Sequence, residues 1–410
     1  MNQEKAEFNR FGLILIIILC IVAGILLCAH VNPNVARTME ELSHSHLSME
    51  SMTGETHTIF ETLQYNRSIH VLAMLLLGFG FLMVVVRGQG FSAITATLLV
   101  TSISIPVYLI LKSFTTDEPI ISVEQFLWAE FCGASILIAI GAPMGRYKMG
   151  QYALMGLLFT FVYYFNEWLV VESGHFVGFQ DTGGSVVIHA FGAYFGLGVV
   201  AHSAWRYKGF TSSVSRMSNQ FSLLGSLVLW VFWPSFTSAI VAPDRVTLTA
   251  INTVLALAGA TLATYAVSRL VGQGRIDVEH IANAALAGGV AIGSTCDIAS
   301  PGMSLIIGVA AGTLSTIGYK YIAPKVAALI RGTDTCGVHN LHGMPGLLGG
   351  LSAIVITGNW KIQLLGMLTT VVIALVGGEI TGLIVRLLGT TKTPYSDDSD
   401  FITDEMKPEQ

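Results

Sequence analysis

Two histidines occupy matching positions in two copies of one short motif. Residues 181–189 read DTGGSVVIH and residues 334–342 read DTCGVHNLH, so that both copies follow Asp-Thr-x-Gly-x-x-x-[Ile/Leu]-His. The copies end at His189 and His342. A neutral imidazole donates one hydrogen bond and accepts another, and two such rings side by side can pass a small polar solute along. The motif therefore predicts a paired histidine site.

The aspartate that opens each copy is predicted to begin a helix. At that place Asp181 and Asp334 can cap free backbone N–H groups and favour the positive end of the helix dipole. They can also attract a cation near the mouth of a pathway. Each histidine follows eight residues later, about 12 Å into the helix at about 1.5 Å per residue. In a hydrocarbon layer about 30 Å thick, both rings then approach the middle.

The helices that must carry these residues are predicted to cross a membrane. Hydrophobic residues make up 52% of the 410 residues and charged residues only 11%, against about 25% charged in a soluble domain. Apolar runs long enough to span a bilayer fall at 11–30, 67–86, 91–111, 122–142, 149–171, 183–204, 219–241, 247–269, 281–299, 303–323, 341–357 and 362–388. The prediction is an all-α polytopic membrane protein with eleven or twelve spans.

The ends of the chain differ from this membrane domain at 67–390. Residues 1–30 fit either a signal peptide or a first transmembrane anchor. Residues 31–66 are polar and are predicted to form an extracytoplasmic loop, and residues 391–410 a cytoplasmic tail. When the sides alternate from a cytoplasmic N-terminus, sixteen Lys and Arg residues fall inside and five outside, which favours this orientation in the cell (inner or plasma) membrane.

The two motif copies lie five spans apart and so enter the membrane from opposite faces. The tripeptide Ala-Ile-Gly at 139–141 recurs at 291–293, at nearly the same offset from the motif. These features predict an inverted-topology repeat, with the site at the repeat interface near the midplane.

Other polar residues inside apolar spans have two readings. Glu130 and Glu167 are functional candidates or are paired with neighbouring polar groups. His339, one turn from His342, is a rival pore histidine, but it aligns with Val186 in the other copy; Asn340 is a further candidate. The sequence holds no HExxH, Walker A or G-x-S-x-G motif, so we expect no enzyme, metal site, cofactor or nucleic-acid partner.

At these residues the chain resembles the Amt/Rh family of ammonium transporters, and its Rhesus branch in particular, over nearly its whole length. The resemblance lies in GFGFLM at 78–83, Asn166-Glu167, DTGGSVVIHAFGAYFG at 181–196, Trp233-Pro-Ser-Phe236, ANAALAGGVAIG at 282–293 and DTCGVHNLHGMPG at 334–346. Blocks such as IHAFGAYFG and NLHG are highly specific, and the short ectodomain and tail favour a bacterial member.

The resemblance implies a homotrimer in which each subunit has its own central pore between two inverted five-helix repeats. It also implies that each pore conducts ammonia (NH3) after ammonium is deprotonated at the outer vestibule. It implies that His189 and His342 are the hydrogen-bonded pore histidines and that Phe131 and Phe236 form the outer gate. Thr237 stands where many animal members have Asn, so a recruiting role for that side chain is not carried over.

Three other functions stay open at this point. The same fold could conduct carbon dioxide or a mixture of gases, or it could carry ammonium, or methylammonium, with its charge. It could also serve as a non-conducting scaffold or sensor, although two imidazoles in hydrocarbon argue against that.

Overall fold

The computed structural model describes residues 50–85, 90–116, 119–202, 216–389, 397 and 401–402. Regular secondary structure in these ranges is helical throughout. The predicted anchor or signal peptide at 1–30 lies outside them, as do residues 31–49 and most of the predicted tail.

Eleven helices follow one another in the described ranges. They are α1 (Glu50–Ala73, continued through Met74–Phe79, Gly80–Leu82 and Met83–Val85), α2 (Gly90–Ser113), α3 (Val123–Gly141), α4 (Met149–Glu167, continued through Trp168–Glu172), α5 (Ser185–Ala190 and Phe191–His202), α6 (Arg216–Thr237), α7 (Val246–Val271), α8 (Val278–Asn283, Ala284–Leu286, Ala287–Ile292 and Gly293–Thr295), α9 (Pro301–Ile317, Gly318–Ile322 and Ala323–Leu329), α10 (His339–Gly343 and Met344–Thr357) and α11 (Trp360–Leu387). Eight helices of the described part are long and apolar enough to cross a membrane, and Ser185–Ala201 is a shorter apolar one. The predicted all-α, multi-pass membrane fold is confirmed.

Helix α1 begins earlier than the apolar pattern indicates. Residues 50–66, which we predicted to be loop, form its first turns. A helix satisfies its own backbone and can continue past the hydrocarbon, so hydropathy marks only the part of it inside the membrane. The polar turns are also anchored, because Gln64 Nε2 donates a hydrogen bond to the Ala239 carbonyl oxygen, 2.8 Å away.

The chain forms two five-helix halves, α1–α5 and α6–α10, and the fourth and fifth helices of each half are interrupted at matching places. A five-residue π-helical turn ends α4 at Trp168–Glu172, and another lies in the equivalent helix α9 at Gly318–Ile322. The fifth helix of each half opens with a π-helical turn, at Ser185–Ala190 and at His339–Gly343. Such turns are rare and frequent at functional sites. The shared interruptions agree with the inverted repeat expected from the sequence.

Glycines allow some helices to approach at backbone distance. A Cβ at Gly308 or Gly312 of α9 would collide with the backbone of α7, and one at Gly378 of α11 with the backbone of α5. Close contact between small residues is a common source of helix association in membranes, where burial of apolar surface gives no advantage over lipid. The same packing holds α5, which carries His189, against α11.

Candidate functional site

The imidazoles of His189 and His342 meet edge to edge through their Nδ1 atoms, with nearly parallel ring planes. Their ring centroids are 5.3 Å apart, their planes differ by 9°, and the two Nδ1 atoms are 3.2 Å apart. Both side chains are 3% exposed. Because this hydrogen bond needs one Nδ1 to donate and the other to accept, the two rings carry their protons on different nitrogens when both are neutral.

The turn before His189 is shaped by Asp181 and Gly184. The Asp181 carboxylate accepts hydrogen bonds from the amides of Val186 and Val187, through Oδ2 at 3.0 and 2.8 Å. Gly184 has φ +72°, a left-handed conformation that glycine adopts at little cost. Its carbonyl oxygen accepts from the amide of His189, five residues on, at 3.0 Å. The histidine is therefore held in a wide turn that begins at the capping aspartate.

The second half repeats this construction with its own residues. The Asp334 carboxylate accepts from the amides of Val338 at 2.9 Å and His339 at 2.8 Å. Gly337 has φ +69°. The glycine that the two motif copies share is thus the left-handed residue of the turn in both halves, which explains its place in the pattern.

Each of these turns is also fastened to the opposite half. The amide of Gly183 donates to the Gly293 carbonyl oxygen at 2.7 Å, and the amide of Cys336 donates to the Gly141 carbonyl oxygen at 3.1 Å. Gly293 and Gly141 are the last residues of the recurring Ala-Ile-Gly tripeptides. The tripeptide and the histidine motif recur together because they are two sides of one contact.

Aromatic rings continue the histidine pair in both directions. The ring of Phe131 lies 4.9 Å from that of Phe236, and Phe236 lies 5.8 Å from His189. On the other side, Phe79 stacks on His342 at 6.0 Å, while Trp233 stacks on His189 at 5.6 Å. The three phenylalanine rings and the two imidazoles form a column from Phe131 to Phe79, with Trp233 beside it.

Two cavities lie at opposite ends of this column. One, of about 390 Å³, is lined by Phe131, Asp181 and Val187 and opens on the Asp181 side. The other, of about 20 Å³, is lined mostly by apolar side chains with His342 at its end and lies on the Asp334 side. The smaller cavity has room for one water-sized molecule, for which about 10–15 Å³ is needed.

The two aspartates lie in connections outside the spanning helices. Burial raises the pKa of the Asp181 carboxyl to about 7, and the hydrogen bonds from Ser294 and from the amides of the turn act in the opposite direction. Burial likewise raises the pKa of Asp334, opposed by its amide donors and by the nearby Arg146 guanidinium.

The remaining polar candidates lie away from the two cavities. One oxygen of Glu130 accepts from Ser68 Oγ at 3.1 Å, and its other oxygen is buried without a partner among the described residues. Glu167 accepts from the hydroxyls of Tyr108 and Tyr163.

The second histidine of the turn, His339, contacts the ring of Tyr194 edge-on at 5.7 Å. The amide oxygen of Asn340 lies next to Gly318. In the ranges the structure describes, no three His, Cys, Asp or Glu side chains come together as a metal site.

The family of this chain follows from comparison with known proteins. The sequence model described as the Ammonium Transporter Family matches residues 43–395. The chain belongs to this family. Ammonium transporter Rh type B of Mus musculus is 38% identical over 358 residues, 78% of each chain, and that of Homo sapiens is 38% identical over 359 residues, 77% of each chain.

Solved structures of the family agree with this assignment. The Rh50 protein of Nitrosomonas europaea matches with a TM-score of 0.81 and 49% identity, covering 83% of this chain and 92% of that one. Mep2 of Saccharomyces cerevisiae, 16% identical with a TM-score of 0.67, shares the fold. The chain is a member of the Rh branch of the Amt/Rh family.

Three residues of this Rh site were not assigned from the sequence. Phe79 and Trp233 lie in the motifs that carry the resemblance, but nothing in their spacing tells that they stack on the histidines. Ser294, whose Oγ donates to Asp181 Oδ1 at 2.5 Å, directly follows the second Ala-Ile-Gly tripeptide. That position was its only available signal.

Proposed function

We propose that this chain conducts ammonia as neutral NH3 across the membrane, from the larger cavity past Phe131 and Phe236 and along His189 and His342. One observation carries the proposal: a hydrogen-bonded imidazole pair is buried between an aromatic barrier and an apolar cavity the size of one water molecule. The ammonium transporters and the Rh50 channel among its relatives support the same substrate.

The barrier selects the neutral form of the substrate. Moving an ion out of water into an apolar medium costs tens of kcal/mol in a continuum estimate, whereas a neutral polar molecule costs roughly 2–7 kcal/mol. The side chains of Phe131 and Phe236 are buried and offer no polar group of their own to replace the water around NH4+. Ammonium therefore loses its proton on the Asp181 side before the nitrogen passes the rings.

The histidine pair then offers NH3 a partner inside the apolar passage. Nε2 of His189 is buried without a hydrogen-bond partner among the described residues. A buried N–H without an acceptor is rarer in proteins than a buried acceptor without a donor. We infer that His189 donates from Nδ1 to His342 and leaves its Nε2 as an acceptor for an N–H of ammonia, while His342 keeps its proton on Nε2.

The setting of this activity is proposed together with it. The Asp181 side faces the cell exterior and the C-terminal tail the cytoplasm, as the Lys and Arg distribution predicts. The protein lies in the cell membrane as a homotrimer with one passage in each subunit. Methylamine, the neutral form of methylammonium, is a second substrate.

The test is a stopped-flow measurement of internal pH in proteoliposomes given an ammonium gradient. Wild-type vesicles are expected to become alkaline faster than empty ones, and the double variant His189→Ala/His342→Ala to lose that excess. His339→Ala is the matched control. It removes an imidazole from the same turn, but the ring of His339 contacts Tyr194 edge-on. Its vesicles should behave as wild type.

Other outcomes of the same test separate the rival functions. A wild-type rate equal to that of empty vesicles contradicts the proposal. Faster acidification on exposure to CO2 would then indicate a gas channel, and an ammonium-dependent current would indicate charged transport. If vesicles that contain folded protein show none of these activities, the scaffold or sensor hypothesis remains.

A further inference from the structure

The carboxylate of Asp181 is held by a serine from the opposite half of the chain. Ser294 Oγ donates to Asp181 Oδ1 at 2.5 Å, and the amide of Ser294 donates to Ser185 Oγ at 2.7 Å. Ser185 Oγ in turn donates to the Val290 carbonyl oxygen at 2.6 Å. Ser294 and Ser185 are completely buried. The short turn that ends α8 therefore binds the beginning of α5 through both its backbone and its side chain.

The two halves differ at this point. The residue after Gly293 is Ser294, but the residue after Gly141 is Ala142, which has no hydroxyl. The Asp334 carboxyl has the positive charge of Arg146 nearby instead. The hydroxyl is thus a feature that the repeat does not require, since the second turn forms with alanine at the matching place.

The position of the hydroxyl relates it to His189. Asp181 Oδ1 receives the Ser294 hydroxyl, while Oδ2 receives the amide of Val187 at 2.8 Å. A carboxylate bonded at both oxygens cannot rotate without breaking one of these bonds. The turn that Oδ2 caps, Ser185–Ala190, contains His189 as its fifth residue.

We propose that Ser294 is a positioning residue for His189: its hydroxyl fixes the Asp181 carboxylate and, through it, the turn that sets His189 against His342. This inference rests on the proposed conduction of ammonia. In this role Ser294 does not contact the solute, and it is not among the residues that line the small cavity.

A purely structural serine would give a different result from a positioning serine. Loss of stability lowers the amount of folded protein, and the fluxes of ammonia and of the larger methylamine then fall in the same proportion. A displaced His189 changes the width of the passage beside His342, which affects the flux of the larger methylamine more than that of ammonia. The ratio of the two fluxes per folded protein therefore distinguishes the two roles.

The experiment compares Ser294→Ala, Ser294→Thr and Ser304→Ala in proteoliposomes, with flux normalised to folded protein. Ser304→Ala is the control, because it deletes a buried hydroxyl that donates to the carbonyl oxygen of Ser300, the residue before its own helix, 3.1 Å away. We expect Ser294→Ala to lower ammonia flux roughly tenfold, as loss of a hydrogen bond to a charged group allows, and to change the methylamine-to-ammonia ratio. Ser294→Thr keeps the hydroxyl and should restore both quantities.

Unchanged flux and ratio in Ser294→Ala would overturn the inference, as would a loss of flux that Ser304→Ala reproduces. Cryo-EM structures of wild type and Ser294→Ala provide a readout that does not depend on transport. An Nδ1–Nδ1 distance in Ser294→Ala equal to that of wild type also overturns the inference. If wild-type vesicles conduct no ammonia, the proposed function fails, and a lengthened distance in the variant still supports the positioning role.

Discussion

The ring of Phe79 lies against the imidazole of His342, with the centroids 6.0 Å apart and the planes inclined by 28°. Phe79 also lines the small cavity on the Asp334 side. We predict that Phe79→Ala enlarges this cavity and raises methylamine flux relative to ammonia flux, because the smaller side chain leaves room for the additional methyl group. The ratio is measured from internal pH changes in proteoliposomes.

Phe81→Ala is the matched control for Phe79→Ala. It lies two residues further along α1, but its ring stacks on Phe221 of α6. Its flux ratio should equal that of wild type. A Phe79→Ala protein that discriminates between the two amines as wild type does would show that Phe79 does not limit the passage.

Gly184→Ala should damage the turn that carries His189. Gly184 has φ +72°, where an alanine costs roughly 1–2 kcal/mol, and a Cβ would also collide with the side chain of Ile188. Gly174→Ala separates these effects, because Gly174 has φ +75° and nothing within 4 Å of an added Cβ. We expect a small loss of thermal stability in Gly174→Ala, and a larger one with loss of ammonia flux in Gly184→Ala. Equal melting temperatures for Gly174→Ala and Gly184→Ala would contradict the role given to the Gly184 turn.

Glu167 and Glu130 should respond differently to replacement by glutamine. Glu167 accepts from the hydroxyls of Tyr108 and Tyr163, so the amide of Glu167→Gln leaves one of these donors without an acceptor. A buried group left unsatisfied costs about 1–3 kcal/mol. Thermal unfolding in detergent should show that loss for Glu167→Gln and a smaller one for Glu130→Gln, whose hydrogen bond comes from Ser68.

The same pair of variants tests whether either carboxyl takes part in conduction. Neither side chain lines the two cavities of the passage. Ammonia flux per folded protein should therefore remain at the wild-type level in Glu130→Gln. A flux abolished in Glu130→Gln with stability unchanged would give this carboxyl a direct role.

Asp397 in the C-terminal tail caps the start of α2. Its carboxylate accepts from the amides of Phe91 at 2.7 Å and Ser92 at 3.1 Å, and its side chain is buried. Replacing a capping residue by alanine costs about 1 kcal/mol. We expect Asp397→Ala to speed hydrogen exchange at these two amides, and the exposed control Asp244→Ala to leave it unchanged. Wild-type exchange in Asp397→Ala would mean that the tail does not hold this helix end.

The sequence predicts the site best where a side chain and its chain position act together. His189 and His342 could be paired because the motif spacing sets their depth and the odd number of spans sets their direction. Asp181 and Asp334 could be read as caps because a helix start needs an acceptor for its free amides. These statements depend on local geometry, which a sequence pattern records.

Contacts between helices that are distant in the chain could not be predicted in this way, because no local sequence pattern encodes them. That Phe79 lies on His342 depends on how α1 packs against α10, and that Ser294 reaches Asp181 depends on how α8 ends beside α5. The length of α1 was underestimated for another reason. An apolar run marks only the part of a helix that lies inside the hydrocarbon layer, whereas the polar residues 50–66 continue the helix beyond that run. Phe131 and Phe236 came from the family resemblance rather than from spacing.

The hydrogen bonds between the two halves also determine when each histidine turn can be completed during synthesis. As the chain leaves the ribosome, the amide of Gly183 has no carbonyl to meet until Gly293 has been synthesised and inserted. Cys336, by contrast, finds the Gly141 carbonyl already in the membrane when it arrives. The first histidine turn therefore lacks this hydrogen bond until the second half is in place, and a chain that ends before Gly293 cannot form it.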